Sequence, residues 1–265
     1  IEDCVNVRHH PKIEDYDDYL FLILHAPDLK SGTDQIRTNE LDIFLGKHFV
    51  VTHHVENVAS VAMMRERCER NPDTMMSRGT DFFLHALVDQ LMENYEPIVE
   101  DLAEEISWGE EEVFYNPDEK FLKAIVDLKK NIFYIHRIMA PQRDTILHLS
   151  KGNSPLISER ARIYFRDTHD LLYRIIDLIN VYRERLNGLA ETYLILDNNR
   201  TNQIMKGLTV MASIMLPLSV IVGIYGMNFK HMPELEWEFG YLVALVTMVG
   251  IDFYLWYRFR KARWL

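Results

Sequence analysis

Three residues at the end of an apolar run carry the most specific chemistry in this sequence. Gly226-Met227-Asn228 follows positions 207–225, nineteen consecutive uncharged residues. At 1.5 Å per residue such a run reaches about 28 Å, close to the hydrocarbon thickness of a bilayer. Asn228 then stands at the mouth of a membrane-crossing helix, and a symmetric assembly would present a ring of its amide oxygens. Magnesium holds a near-ideal octahedral water shell and gives it up reluctantly. Neutral amide oxygens accept hydrogen bonds from that shell without removing it. Gly226 permits close backbone approach or a φ that other residues avoid. The triplet alone is a weak signal; its place at a helix mouth makes it a strong one.

Upstream, Asn202, Met205, Thr209, Ser213, Leu216, Ser219 and Gly223 are spaced 3, 4, 4, 3, 3, 4. They share one helical face, while Val210, Ile214 and Val222 occupy the other. Small residues at this spacing let helices approach closely. They also suit the wall of a narrow aqueous path, with Met205 and Leu216 as apolar constrictions. One stripe serves both purposes.

A second apolar run, 240–257, carries a single charge, Asp252. An acid inside a membrane is a functional candidate by default. It lies six residues before Arg258, about 9 Å along a helix. Between the runs, Glu234, Glu236 and Glu238 face one cation, Lys230. Arg200, Lys206, Arg258, Arg260, Lys261 and Arg263 flank them on the other side. Lys and Arg favour the cytoplasmic face, so both termini are expected inside and the acidic loop outside. Trp237, Tyr241, Trp256, Tyr257 and Trp264 fit interfacial belts.

These helices need a scaffold. Residues 1–77 read as mixed α/β, with a buried strand at 19–24, a hairpin of 41–45 with 48–52 across Gly46-Lys47, and a helix at 56–70. Long paired helices, 81–108 and 117–150, fill 78–153. The stretch 154–203 is a stalk helix. In it Leu172, Ile175, Ile179, Tyr182, Leu186, Leu189, Tyr193 and Leu196 form an unbroken 3,4 seam. The seam fits an intrachain bundle and a self-associating stalk equally well. The remaining divisions are 204–228, the first span with its triplet; 229–239, the external loop; and 240–265, the second span and basic tail. The expected fold is a truncated α+β cytoplasmic domain with long helices, followed by a two-helix transmembrane region. The stalk runs without a break into the first span. Two spans per chain cannot enclose a pore, so conduction requires self-assembly, for which the seam is the expected means.

Composition narrows the function further. A formal charge of −11 over 265 residues argues against nucleic acid. Nine acids and no Lys or Arg fall between Glu93 and Glu112, the pattern of a solvated helix face or a cation attractor. Cys4 and Cys68 are too few for a disulfide framework or a Cys-rich zinc site. His9-His10 and His53-His54 point to opposite faces of a strand and lack further ligands. No Gly-rich phosphate loop is present, so no nucleotide partner is expected. No nucleophile–base constellation suggests an enzyme.

Together, Tyr225-Gly226-Met227-Asn228-Phe229, then Met232-Pro233-Glu234-Leu235, the short second span and the closing Arg263-Trp264-Leu265 resemble the CorA magnesium transporters. Glu2-Asp3-Cys4-Val5-Asn6 and Pro11-Lys12-Ile13-Glu14 resemble a stretch of that family's cytoplasmic domain, whose first part is expected to be missing from a chain that opens at Ile1. The resemblance implies a homopentamer in the plasma (inner) membrane. Gly226, Met227 and Asn228 would be its selectivity filter for hydrated Mg2+, with Co2+ and Ni2+ as possible fellow travellers. Asn202, Met205 and Leu208 match its cytoplasmic gate, and Glu191 an acidic position lower in the pore. Asp3 and Asp167 match the principal pair of a regulatory Mg2+ site between neighbouring copies, and Glu2 and Asp89 its accessory acids. An ordinary solvated ion pair with Arg162 or Arg166 is the alternative explanation of Asp167. Leu171 stands where some members carry His, which removes that position from consideration. Two alternatives stay open: a zinc transporter of the same superfamily, and a non-conducting membrane-anchored adaptor.

Overall fold

The computed structural model describes residues 9–29, 36–115, 118–152, 154–228, 232–233, 237–262 and 264. They form two compact units, Ile1–Thr192 and Tyr193–Leu265.

The first unit is built on an antiparallel meander, β1 (Lys12–Tyr16), β2 (Tyr19–Pro27), β3 (Thr38–Gly46) and β4 (Val50–His53), in that order. The β1–β2 turn is tight: Tyr16 pairs with Tyr19, and their rings stack at 4.9 Å. Successive β2 residues from Leu20 to Leu24 are all buried, so both faces of this strand are covered. That accounts for its continuous apolar run, since a strand open to water on one face would alternate. β3 and β4 form the expected hairpin, Leu45 pairing with Val50. A Cβ on Gly46 would sit 2.3 Å from the Phe49 ring, which is why glycine holds that corner.

Among the described residues, six helices follow in this unit: α1 (Ala59–Arg70), α2 (Pro72–Met76), α3 (Thr80–Glu93), α4 (Glu96–Glu112), α5 (Glu119–Lys151) and the first part of α6 (Glu159–Tyr225). One helix was expected over 81–108, but the chain breaks at Asn94-Tyr95. Pro97 belongs in a first helical turn, where its missing N–H costs nothing. Tyr95 is fully buried, and its hydroxyl donates to the His25 carbonyl at 2.7 Å. Downstream, Asp118 caps α5 by accepting from Phe121 N at 2.9 Å. Gly152 ends α5 with φ +71°, the left-handed cap that favours glycine.

The α6 seam has a definite partner. Leu172, Ile175, Ile179, Leu186 and Leu189 are all buried within this chain. A Cβ on Gly109 of α4 would meet Leu189 Cδ2 at 2.9 Å, so α4 lies directly against the seam. Arg185 joins the same two helices by pairing with Glu110, Nε–Oε1 2.9 Å and Nη2–Oε2 2.7 Å. From Leu172 to Leu189 the seam therefore serves an intrachain bundle. It is not the free surface by which copies were expected to associate, because its side chains are already buried within the chain, with α4 against the Leu189 end.

The second unit holds the rest of α6 and α7 (Gly240–Lys261). Both helices are long and apolar enough to cross a membrane. Pro217 lies inside α6 without ending it, as is tolerated in spanning helices.

Candidate functional site

Within the second unit, α7 covers one face of α6. Ile221, Val222, Tyr225 and Gly226 line a cleft of about 490 Å³ with residues of α7 and its approach. Val210, on the same side, is 6% exposed. The far side carries Asn202, Met205, Leu208, Thr209, Leu216, Ser219 and Gly223, all exposed, with Ser213 half-buried. From Asn202 to Gly223 this stripe spans about 32 Å of helix. Its hydroxyls are satisfied locally: Thr209 donates to the Met205 carbonyl at 2.7 Å and Ser219 to the Met215 carbonyl at 2.8 Å. They present oxygen lone pairs without needing a partner, so the face is mildly polar and can be wetted. Glu191, in the first unit, is also exposed on α6.

The helix ends where the triplet begins. Gly226 N donates to the Val222 carbonyl at 2.9 Å, and Met227 N to the Ile224 carbonyl at 3.2 Å. A Cβ on Gly226 would meet the Val222 carbonyl oxygen at 3.1 Å, so a larger residue would crowd this last turn. Met227 and Asn228 then leave the helix, both exposed. The neighbouring Phe229 and the Glu234-Leu235 pair lie outside the described residues.

The acids assigned to regulation divide in two. Glu2 and Asp3 lie outside the described residues. Asp89 on α3 and Asp167 on α6 both act on one imidazole, that of His85. The Thr168 hydroxyl donates to Asp89 Oδ1 at 3.0 Å and lies 3.1 Å from His85 Nε2. His85 Nε2 is 4.0 Å from Asp89 Oδ1. Burial lowers the His85 pKa, against the opposing pull of Asp89 and of Asp167. Asp167 itself is exposed. Among the described residues, no three His, Cys, Asp or Glu side chains come together to hold a metal ion. Asp89 and Asp167 are thus part of a site at most, open to ligands from elsewhere. His85 and Thr168 were not singled out in the sequence. Their only signal is a contact across 83 residues, which periodicity does not carry.

The weaker histidine pairs are explained by other partners. His53 Nδ1 lies 3.1 Å from Asp42 Oδ2, and His9 Nδ1 3.6 Å from Glu40 Oε1. In the acidic stretch, Glu100, Asp101, Glu104 and Glu111 are exposed, as on a solvated face. In α7, Asp252 Oδ1 is fully buried and has no hydrogen-bond partner among the described residues.

A family model for the CorA-like Mg2+ transporter protein matches residues 1–261. The chain belongs to that family. It is 33% identical over 266 residues to the cobalt/magnesium transport protein CorA of Thermotoga maritima, covering 100% of this chain and 76% of that protein. The complete structure of the CorA magnesium transporter from Methanocaldococcus jannaschii superposes with a TM-score of 0.86 at 26% identity, over 97% of this chain and 80% of that one. This CorA-family chain is accordingly a membrane-inserted divalent-cation transporter. Its α+β unit, followed by a long helix and a second apolar helix, is the architecture expected from the sequence.

Proposed function

We propose that this chain forms a homopentameric channel for Mg2+ entry, driven by the membrane potential, with Co2+ and Ni2+ as secondary cargo. The supporting observation is the α6 stripe: its mildly polar face is turned away from α7 and ends at the exposed Asn228. Five copies would set that face round a shared axis. Asn202, Met205 and Leu208 would form the inner gate, Leu216 an apolar narrowing, and five Asn228 amides the outer filter. The amides would select an ion that keeps its water shell. No nucleotide energy is needed, because two charges falling through 100 mV release about 4.6 kcal/mol. Both termini would be cytoplasmic, following the basic flanks.

In this reading Mg2+ also closes the channel. Asp89 and Asp167 of one copy, with Glu2 and Asp3 of a neighbour, would bind an ion whose charge cancels their repulsion. At low internal Mg2+ the acids repel and the copies move apart.

The test is flux of Mg2+, Co2+ and Zn2+ into liposomes holding the purified protein under an imposed potential. The wild type should admit Mg2+. Asn228→Ala should abolish entry while light scattering still gives a pentamer. Asp3→Ala with Asp167→Ala should keep flux high at internal Mg2+ concentrations that shut the wild type. Zinc entry without magnesium entry would move the chain to the zinc reading, and an assembled protein with no flux would make it an adaptor. Unchanged inhibition in the double variant would place the sensor elsewhere.

A further inference from the structure

Away from the ion path, the first unit carries a recess of about 330 Å³ between the start of β3 and the middle of α5. Three cations line it, Arg37, Lys130 and Arg137, against one acid, Asp127. That acid is already committed, lying 2.8 Å from Lys130 Nζ. Its lining has three basic side chains to one acid, on a chain whose formal charge is −11.

The Arg137 guanidinium lies over the Tyr134 ring at 5.6 Å and has no carboxylate partner among the described residues. Tyr134 is itself fixed, its hydroxyl 2.7 Å from Thr38 Oγ1, which stands 3.1 Å from His25 Nδ1. The guanidinium is therefore positioned by a held aromatic ring and still has its hydrogen-bond donors to offer. One turn before Arg137, the Phe133 ring lines the same recess and is 67% exposed. The ring is an open apolar face beside a cluster of cations.

These features match one ligand chemistry. Guanidinium and ammonium groups bind phosphates, arginine through its planar fork and lysine as a point charge. An exposed aromatic ring is a platform for a planar base, worth about 1–3 kcal/mol when stacked. The volume falls in the range of about 300–1,000 Å³ typical of small-molecule sites. We propose that this recess binds a nucleoside triphosphate, its phosphates on Arg137, Arg37 and Lys130 and its base on Phe133. The recess takes the magnesium-free form in preference, because Mg2+ cancels two of the charges the cations attract. A Gly-rich loop is not required, since side chains supply every donor. Occupancy then rises as magnesium falls.

The experiment is equilibrium binding of radiolabelled ATP to the intact detergent-purified protein, with tripolyphosphate and adenosine as competitors. ATP in EDTA should bind saturably, and excess Mg2+ should weaken it tenfold or more. Tripolyphosphate should compete less well than ATP, and adenosine hardly at all. Arg137→Gln should raise the ATP Kd at least tenfold with an unchanged melting temperature. Phe133→Ala should bring ATP down to the affinity of tripolyphosphate. Equal affinities for ATP and tripolyphosphate in the wild type would overturn the base platform. ATP binding that survives Arg137→Gln unchanged, or that Mg2+ strengthens, would overturn the site. Dissociation of the oligomer by Phe133→Ala would assign that ring to a contact between copies and defeat the proposal.

Discussion

In the 1–192 unit, Leu20, Leu22, Leu24 and Leu41 are fully buried, whereas in the 193–265 unit Leu208, Leu216 and Leu242 are at least 60% exposed. The side chain is the same and its surroundings are opposite. In the first unit the chain supplies its own apolar environment, sheet against helix and helix against helix. In the second, Val210 and Ala244 are the buried apolar side chains among the described residues. A bare apolar surface of that extent is not stable in water. The second unit leaves the task of covering it to lipid and, in the proposed assembly, to neighbouring copies. Two roles are thereby divided along one helix: α6 is a packed structural element where α4 lies on it, and a candidate pore wall beyond.

Truncating one leucine in each unit should give the largest contrast. Leu41→Ala removes packing from a sealed core and should cost about 2–5 kcal/mol. Leu242→Ala should cost under about 1 kcal/mol, because lipid is as apolar as the lost side chain. Chemical denaturation of the intact protein in detergent, followed by circular dichroism, reads both. Equal losses would mean that Leu242 is packed as tightly as a soluble core, and the contrast would fail.

Buried acids make a second pair with opposite signs. In the first unit Asp81 is 8% exposed and fully engaged: Oδ1 accepts from Phe82 N at 2.9 Å, and Oδ2 from Ser158 N at 3.1 Å. Asp81→Ala strands two backbone donors and should destabilise by about 1–3 kcal/mol. In the second unit Asp252 Oδ1 is buried without such donors among the described residues. Asp252→Leu should leave stability unchanged or raise it by up to about 1–3 kcal/mol, with Mg2+ flux retained. A loss of flux would show that the carboxylate takes part in transport.

The second unit was the more legible of the two in sequence. A membrane helix declares itself by composition over about twenty residues, and the stripe from Asn202 to Gly223 is a local period that no tertiary contact redirects. In the first unit the apolar run at 19–24 and the hairpin at Gly46 were equally local. The break at Tyr95 was not, because its hydroxyl is fixed by the His25 carbonyl, 70 residues away. Periodicity recorded that the α6 seam is covered but not by what, so α4 and a second copy could not be told apart. The surroundings of Asp89 depend on Thr168, and the basic recess joins Arg37 to Arg137; neither pairing leaves a trace in local spacing.

The smallest effect belongs to the Arg185–Glu110 pair, the polar counterpart of the Leu189 contact between α4 and α6. The guanidinium makes two hydrogen bonds to the carboxylate, which hold the Glu110 pKa below its usual 4.5 and raise that of Arg185. Both side chains are about a third or more exposed, 32% and 41%, so solvent and salt screen the pair. Arg185→Ala should therefore cost only about 0.2–1 kcal/mol. For a carboxyl with a depressed folded pKa, the unfolded chain binds the proton first as pH falls. The contribution is thus complete above the unfolded value of about 4.5 and fades as pH drops through the lower folded value. Urea unfolding of wild type and Arg185→Ala should differ at pH 7 in low salt, and the difference should shrink as pH falls below about 4.5 and again in 0.5 M NaCl. A difference that persisted under both conditions would mean that the arginine stem, packed along α4, stabilises the bundle by apolar contact instead of charge.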